Sequence, residues 1–131
     1  MIVSGAYSKW FAIVGWAQFG VLIVAATCLT LSPEPAEIFI SVWDKFLHVL
    51  CWGTLLISLR FAWHKAGFGL LPGLALLAYS FLMEILQGFT GRDFQLSDLL
   101  ANAIGILIGY LIIFLFWRFV VLFCNKFFTK Y

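Results

Sequence analysis

Charged residues are scarce in this chain. Only 11% of its 131 residues are Asp, Glu, Lys or Arg, whereas 64% are hydrophobic. About half of the residues of a typical soluble domain are apolar, so a soluble fold of this size could not bury so much apolar surface. The composition therefore excludes an ordinary soluble domain and predicts a membrane protein. The length suits a single domain over residues 1–131, with no room for a second.

Basic clusters and cysteine motifs are also lacking. The net charge is only +2, and no run of basic residues indicates nucleic-acid binding. The three cysteines, Cys28, Cys51 and Cys124, are too scattered for a metal motif and cannot all pair with one another. We interpret each as a small, inert residue of an apolar segment.

Four long apolar runs are present, separated by "SPEPAE" (32–37), "HKAGFG" (64–69) and "TGRD" (90–93). They predict an all-α, integral membrane four-helix bundle with helices over about 10–31, 44–63, 70–89 and 96–118. The first run exceeds the apolar core of a cleavable signal, which is about 7–15 residues, so we expect a retained helix. The last run exceeds the ~20 residues that a bilayer requires, which predicts an interfacial tail over 119–131.

The distribution of basic residues predicts the orientation of these helices. If both termini are cytoplasmic, six basic residues lie on the cytoplasmic side and two lie outside, as the positive-inside rule favours. The inner six are Lys9, Arg60, Lys65, Arg118, Lys126 and Lys130, and the outer two are Lys45 and Arg92. We therefore expect a multi-pass protein of the bacterial cytoplasmic membrane.

Polar residues recur near the predicted outer ends of three helices, in pairs spaced three or four residues apart. The pairs are Asp44 and His48, Glu84 and Gln87, and Asp98 and Asn102. Residues at this spacing share one face of a helix, so we expect the three polar faces to meet below the outer surface.

Glu84 lies deepest in its predicted span. A lipid-facing carboxylate costs roughly 2.5–3.5 kcal/mol near the membrane centre, and less near the interface. We therefore expect Glu84 to face the bundle and to pair with Lys45, His48 or Arg92.

Several of these polar residues also have purely structural interpretations. Asp44 and Asp98 could cap their helices, and Lys45 could extend to the lipid headgroups. Gln87 and Asn102 could hold helices together by hydrogen bonds. The pattern "GILIG", which contains Gly105 and Gly109, is typical of close helix packing.

Three segments together resemble a known family: "DKFLH", then "EILQ", then "GRDFQLSDLLANAIGILIG". In this order they are similar to the VanZ-like family of small bacterial membrane proteins, and the resemblance covers residues 43–110. Mapped on this chain, the polar positions of the family are Asp44, Lys45, His48, Glu84, Gln87, Arg92, Asp98 and Asn102. The family often has a tyrosine about four residues after the histidine, where this chain has Trp52. The resemblance implies a link to low-level resistance against the glycopeptide teicoplanin, because the founding member shows it.

Three functions remain open on the sequence. The protein could bind or modify an anionic lipid or a lipid-linked wall precursor at the outer leaflet, using Lys45, Gln87, Arg92, Asp98 and Asn102. It could be an acid–base or metal-dependent enzyme acting on a phosphoester or acyl lipid, with Asp44, His48 and Glu84 as the catalytic candidates. It could also be a structural subunit of a partner protein.

The cofactor prediction is negative. We expect no cofactor and no metal site, because the spacing matches no metal motif. The donor types at Asp44, His48, Glu84 and Asp98 would nevertheless suit a divalent ion.

Overall fold

The computed structural model describes residues 3–32, 41–63, 67–90 and 94–128, with side chains described for 9–32, 43–63, 67–90 and 94–123. In these residues the chain forms four α-helices and no β-strand. The helices are α1 (Val3–Leu31), α2 (Ser41–Ala62), α3 (Leu71–Gln87) and α4 (Leu96–Phe128). The prediction of an all-α, four-helix fold is confirmed.

Three of the helices extend beyond their predicted bounds. α1 begins at Val3 instead of residue 10, and α2 begins at Ser41 instead of residue 44. α4 continues past residue 118 to Phe128, because Arg118 is a good helix former and does not end the helix. α3 is shorter than the predicted 70–89. Whether residues 119–131 lie along the membrane interface stays a prediction.

The surface of the bundle is apolar. Three helical segments are long and apolar enough to cross a membrane: Lys9–Leu31, Trp43–Ala62 and Leu96–Phe123. The remaining helix, Leu71–Gln87, is apolar but shorter. Large side chains are exposed along these helices, including Phe11 at 71% and Leu107 at 66%. A soluble monomer does not expose continuous apolar surface on this scale, so the fold is that of a membrane protein.

α2 and α4 run parallel to each other and antiparallel to α1 and α3. A Cβ on Gly15 in α1 would lie 2.9 Å from the Cα of Ala62 at the end of α2. At the opposite end, the Nε2 of Gln87 in α3 donates to the carbonyl oxygen of Thr30 in α1 (2.9 Å). The starts of α2 and α4 therefore lie with the ends of α1 and α3, and we call this the polar end of the bundle.

The described basic residues sort between the two ends as predicted. Lys45 lies at the polar end, whereas Lys9, Arg60 and Arg118 lie towards the other end. The side chains of Lys65, Arg92, Lys126 and Lys130 lie outside the described residues. Which end faces the cytoplasm stays a prediction.

α2 packs against α4 through glycines. A Cβ on Gly105 would overlap the carbonyl oxygen of Val49, and one on Gly53 would lie 2.9 Å from the carbonyl oxygen of Gly105. A Cβ on Gly109 would lie 3.1 Å from the carbonyl oxygen of Gly53. The predicted packing role of "GILIG" is confirmed, and Gly53 is its partner on α2. Buried Leu56 and Ile106 belong to the apolar core that continues from this contact.

The Gly105 contact yields a stability prediction. Replacing Gly105 with Ala should lower the free energy of unfolding by about 1–3 kcal/mol, because the added methyl group forces α2 and α4 apart. The matched control is Gly20→Ala in α1, where a Cβ would meet nothing within 4 Å. That variant should be neutral or more stable by up to about 1 kcal/mol, since alanine is the better helix former. Unfolding in detergent followed by circular dichroism measures both, and equal effects would contradict the packing role.

Candidate functional site

Two carboxylates lie in the first turns of the parallel helices α2 and α4. Asp44 lies in the first turn of α2 and Asp98 in the first turn of α4. The helices begin at Ser41 and Leu96, so neither aspartate occupies the N-cap position and the capping alternative is not supported. The positive ends of both helix dipoles still favour a negative charge at these positions.

A buried hydrogen bond joins α2 to α4 at this end. The Nδ1 of His48 lies 2.8 Å from the Oδ1 of Asn102. His48 is 9% exposed and Asn102 is 1% exposed. With Oδ1 as the acceptor, Nδ1 carries the proton, and the hydrogen bond fixes the orientation of the imidazole ring.

The other imidazole nitrogen faces both carboxylates. The Nε2 of His48 lies 3.9 Å from the Oδ2 of Asp44 and 3.9 Å from the Oδ2 of Asp98. Lys45 forms an ion pair with the remaining oxygen of Asp98, with 3.4 Å between Nζ and Oδ1. The Asp98 side chain is 4% exposed, whereas that of Lys45 is 35% exposed. We call Asp44, Lys45, His48, Asp98 and Asn102 the polar cluster.

Glu84 and Gln87 of α3 are buried but are not members of the polar cluster. Each is 1% exposed, so Glu84 faces the bundle as predicted. Lys45 and His48 pair with Asp98, Asp44 and Asn102. Of the three candidate partners of Glu84, Lys45 and His48 thus contact other residues, and the pairing of Glu84 stays a prediction.

Gln87 joins two helices, as the structural interpretation predicted, although its partner is α1. Its side chain donates to the carbonyl oxygen of Thr30. The third expected partner of Glu84, Arg92, lies outside the described residues.

A cleft of about 490 Å³ lies between α1 and α2 and reaches the polar cluster. Asp44, His48 and Thr30 line it at the polar end. Its remaining wall is mostly apolar and includes Leu22 and Leu55. The cleft therefore combines a polar region at one end with a mostly apolar wall.

The contribution of α1 to this cleft could not be predicted from the sequence. α1 is apolar on all sides, so no face of it could be assigned to a partner helix. Thr30 is one of few polar residues near its end, and a threonine in an apolar helix is not by itself a signal.

Trp52 is buried (2% exposed), and its ring lies 6.1 Å from that of Tyr79 in α3. The hydroxyl of Tyr79 lies 2.6 Å from that of Thr27 in α1. A phenol therefore lies close to Trp52, which occupies the position where the family resemblance implies a tyrosine. Tyr79 could not be identified from the sequence, because it belongs to a different helix from Trp52.

Asp44, His48 and Asp98 could also hold a metal ion. One ligand atom from each residue lies within 4.8 Å of the other two. Glu84, which the sequence analysis included in a hypothetical metal set, is not part of this group among the described residues.

The fold and site define a class of protein: a small helical membrane protein with a buried acid–base cluster at one end of the bundle. The chain belongs to the VanZ/LLP1 family, whose family model matches residues 7–117. No curated protein and no solved structure matches the chain. The resemblance to VanZ-like proteins is thereby confirmed.

The hydrogen bond between His48 and Asn102 yields a prediction. Asn102→Leu should lower the free energy of unfolding by about 1–3 kcal/mol, because it leaves the buried Nδ1–H of His48 without an acceptor. The double variant His48→Phe/Asn102→Leu should lose less than the sum of the two single variants, because it removes both polar partners. Chemical unfolding of the four proteins of the cycle in detergent measures the coupling.

The control for this cycle is Ser58→Ala. The Ser58 hydroxyl is buried and has no hydrogen-bond partner in the described part of the chain. Its removal should not destabilise the protein. Additive losses for His48 and Asn102 would contradict an energetic coupling between them.

Proposed function

We propose that this VanZ-like protein binds an anionic lipid, or a lipid-linked precursor of the cell wall, at the outer leaflet of the bacterial cytoplasmic membrane. The observation that carries the proposal is the cleft between α1 and α2. Its apolar wall accommodates a hydrocarbon chain, and its polar end contains Asp44 and His48. A ligand with both parts is an amphipathic lipid.

Lys45 supports an anionic headgroup. Its side chain is 35% exposed, although its ammonium group pairs with Asp98. An ammonium group has three N–H donors, so Lys45 can bind a phosphate oxygen while it retains this ion pair. Arg92, which the resemblance places among the polar positions, would add a second cation from the segment between α3 and α4.

Binding of such a lipid offers a route to glycopeptide resistance. Teicoplanin is a glycopeptide with a lipid tail. A protein that alters the membrane anchoring of this antibiotic, or its wall target, would reduce its effect. Lipid binding in the cleft would thereby account for the teicoplanin resistance that the VanZ resemblance implies.

Catalysis is the second candidate function, and the orientation of His48 favours it. Asn102 holds the ring with Nε2 directed at Asp44 and Asp98. A histidine held by one hydrogen bond and placed beside carboxylates has the arrangement of a general base. The bond attacked would be a phosphoester or acyl linkage of the bound lipid. The catalytic role predicted for Glu84 has no described contact with His48 to support it.

The lipid proposal is tested by native mass spectrometry of the purified protein with added phosphatidylglycerol or polyprenyl phosphate. The wild-type protein should retain these anionic lipids in preference to phosphatidylethanolamine. The Lys45→Ala/Arg92→Ala variant should retain at least about tenfold less, the effect of losing about 1.4 kcal/mol of binding free energy. The physical reason is the loss of the two cations that we propose bind the headgroup.

The matched control is Lys9→Ala/Arg118→Ala, which removes the same charge from the opposite end of the bundle. It should bind lipid as the wild type does. Equal lipid retention by both double variants would overturn the proposal. A bound lipid recovered with a cleaved phosphoester or acyl bond, in the wild type but not in His48→Gln, would instead support the catalytic candidate.

A further inference from the structure

The polar cluster poses an electrostatic problem for an anionic ligand. Asp44 and Asp98 supply two carboxylates, and Lys45 supplies one ammonium group, which already pairs with Asp98. A phosphate that binds here would meet both carboxylates as well as the ammonium group. A divalent cation bound by the carboxylates would add positive charge at this place.

The orientation of His48 favours a cation at this place. Its side chain is 10% exposed, and Nδ1 is engaged by Asn102 at 2.8 Å. Histidines that bind metals almost always donate their second ring N–H to a carbonyl or carboxylate oxygen, which directs the lone pair of the other nitrogen at the ion. Asn102 has this position relative to His48.

The distances around Nε2 also fit a metal better than a hydrogen bond. A charge-assisted N–H···O bond measures about 2.7–2.9 Å. The two carboxylate oxygens are each 3.9 Å from Nε2, and no hydrogen bond to Nε2 is found among the described residues. Zinc bonds to nitrogen and carboxylate oxygen measure about 2.0–2.2 Å, so two ligands of one ion can lie at most about 4.4 Å apart. The three ligand atoms lie within 4.8 Å of one another, so only small side-chain movements would be needed.

We propose that Asp44, His48 and Asp98 bind a divalent transition metal ion, either Zn²⁺ or Mn²⁺. One imidazole nitrogen and two carboxylate oxygens form a donor set that suits these ions better than Ca²⁺ or Mg²⁺. The sequence led us to expect no metal, because no metal motif has this spacing. The ligands come from two parallel helices, so no linear sequence motif contains all of them.

The ion would have a role in the lipid site proposed above, and this part of the inference rests on that proposal. Three protein ligands leave coordination positions open. Asp44 and His48 also line the cleft, so an open position can face it. A phosphate oxygen of the lipid headgroup would occupy that position, with Lys45 as an additional donor.

The site is tested by isothermal titration of Zn²⁺ and of Mn²⁺ into chelator-treated protein in detergent. The wild type should bind one equivalent per chain. Asp98→Asn should weaken the affinity at least tenfold, and Asn102→Leu should weaken it about tenfold to hundredfold through the orientation of His48. Lys45→Met should strengthen metal binding, because it removes a positive charge that lies 3.4 Å from Asp98.

Two controls keep the test decisive. A variant with Cys28, Cys51 and Cys124 replaced by alanine should bind as the wild type does, which excludes zinc held by thiols. If Asp98→Asn does not fold, as judged by circular dichroism, the half-buried Asp44→Asn takes its place. The absence of stoichiometric binding to the wild type, or unchanged affinity in the folded aspartate variant, would overturn the metal site.

Lipid retention, measured with the metal and with chelator, separates this inference from the proposed function. Metal binding without lipid retention would leave the metal site standing and overturn the lipid proposal. Lipid retention that is equal with metal and with chelator would show that the ion has no role in holding the headgroup. Lipid retention that falls at least tenfold in chelator would support both.

Discussion

The close contact between the backbones of α2 and α4 determines the rest of the polar end. Gly53 and Gly105 allow each helix to approach carbonyl oxygens of the other at distances that a side chain would prevent. Without a hydrophobic driving force between helices in lipid, small residues of this kind are a main source of packing energy. The contact also fixes the register, because Gly105 must lie opposite Val49. Towards the polar end, His48 then meets Asn102, and further along Lys45 meets Asp98.

The parallel direction of the two helices explains why the cluster can hold two carboxylates. Both helix N-termini point to the same end of the bundle, and each presents the positive end of its dipole to an aspartate in its first turn. Lys45 adds a full positive charge beside Asp98. Placing charged groups in a membrane is costly unless they face the interior of the bundle and find partners there. The fold meets this condition with neighbouring residues of α2 and α4. Glu84 of α3 is also buried inside the bundle.

Local patterns were sufficient to predict much of this arrangement. Four apolar runs gave the four helices, and spacings of three or four residues assigned Asp44 and His48, or Asp98 and Asn102, to a single helix face. The contacts between polar residues of different helices could not be predicted. They depend on the register of α2 against α4, which Gly53 helps to set and which no local pattern reveals. Glu84 shows the consequence: its burial followed from its cost in lipid, whereas the sequence could not select its partner among Lys45, His48 and Arg92. The cleft could not be predicted either, since α1 has no polar face that would indicate its neighbour.

Only two residues of the polar cluster line the cleft. Asp44 and His48 line the cleft, so a ligand would contact them directly. Asn102 and Asp98 are almost completely buried and do not line the cleft; Asn102 orients the His48 ring, and Asp98 faces its Nε2. We therefore expect a substitution of Asn102 to change what His48 can bind while the shape of the cleft stays the same. In a chain so poor in charged residues, three of the polar side chains at this end thus surround a single histidine: Asp44, Asp98 and Asn102.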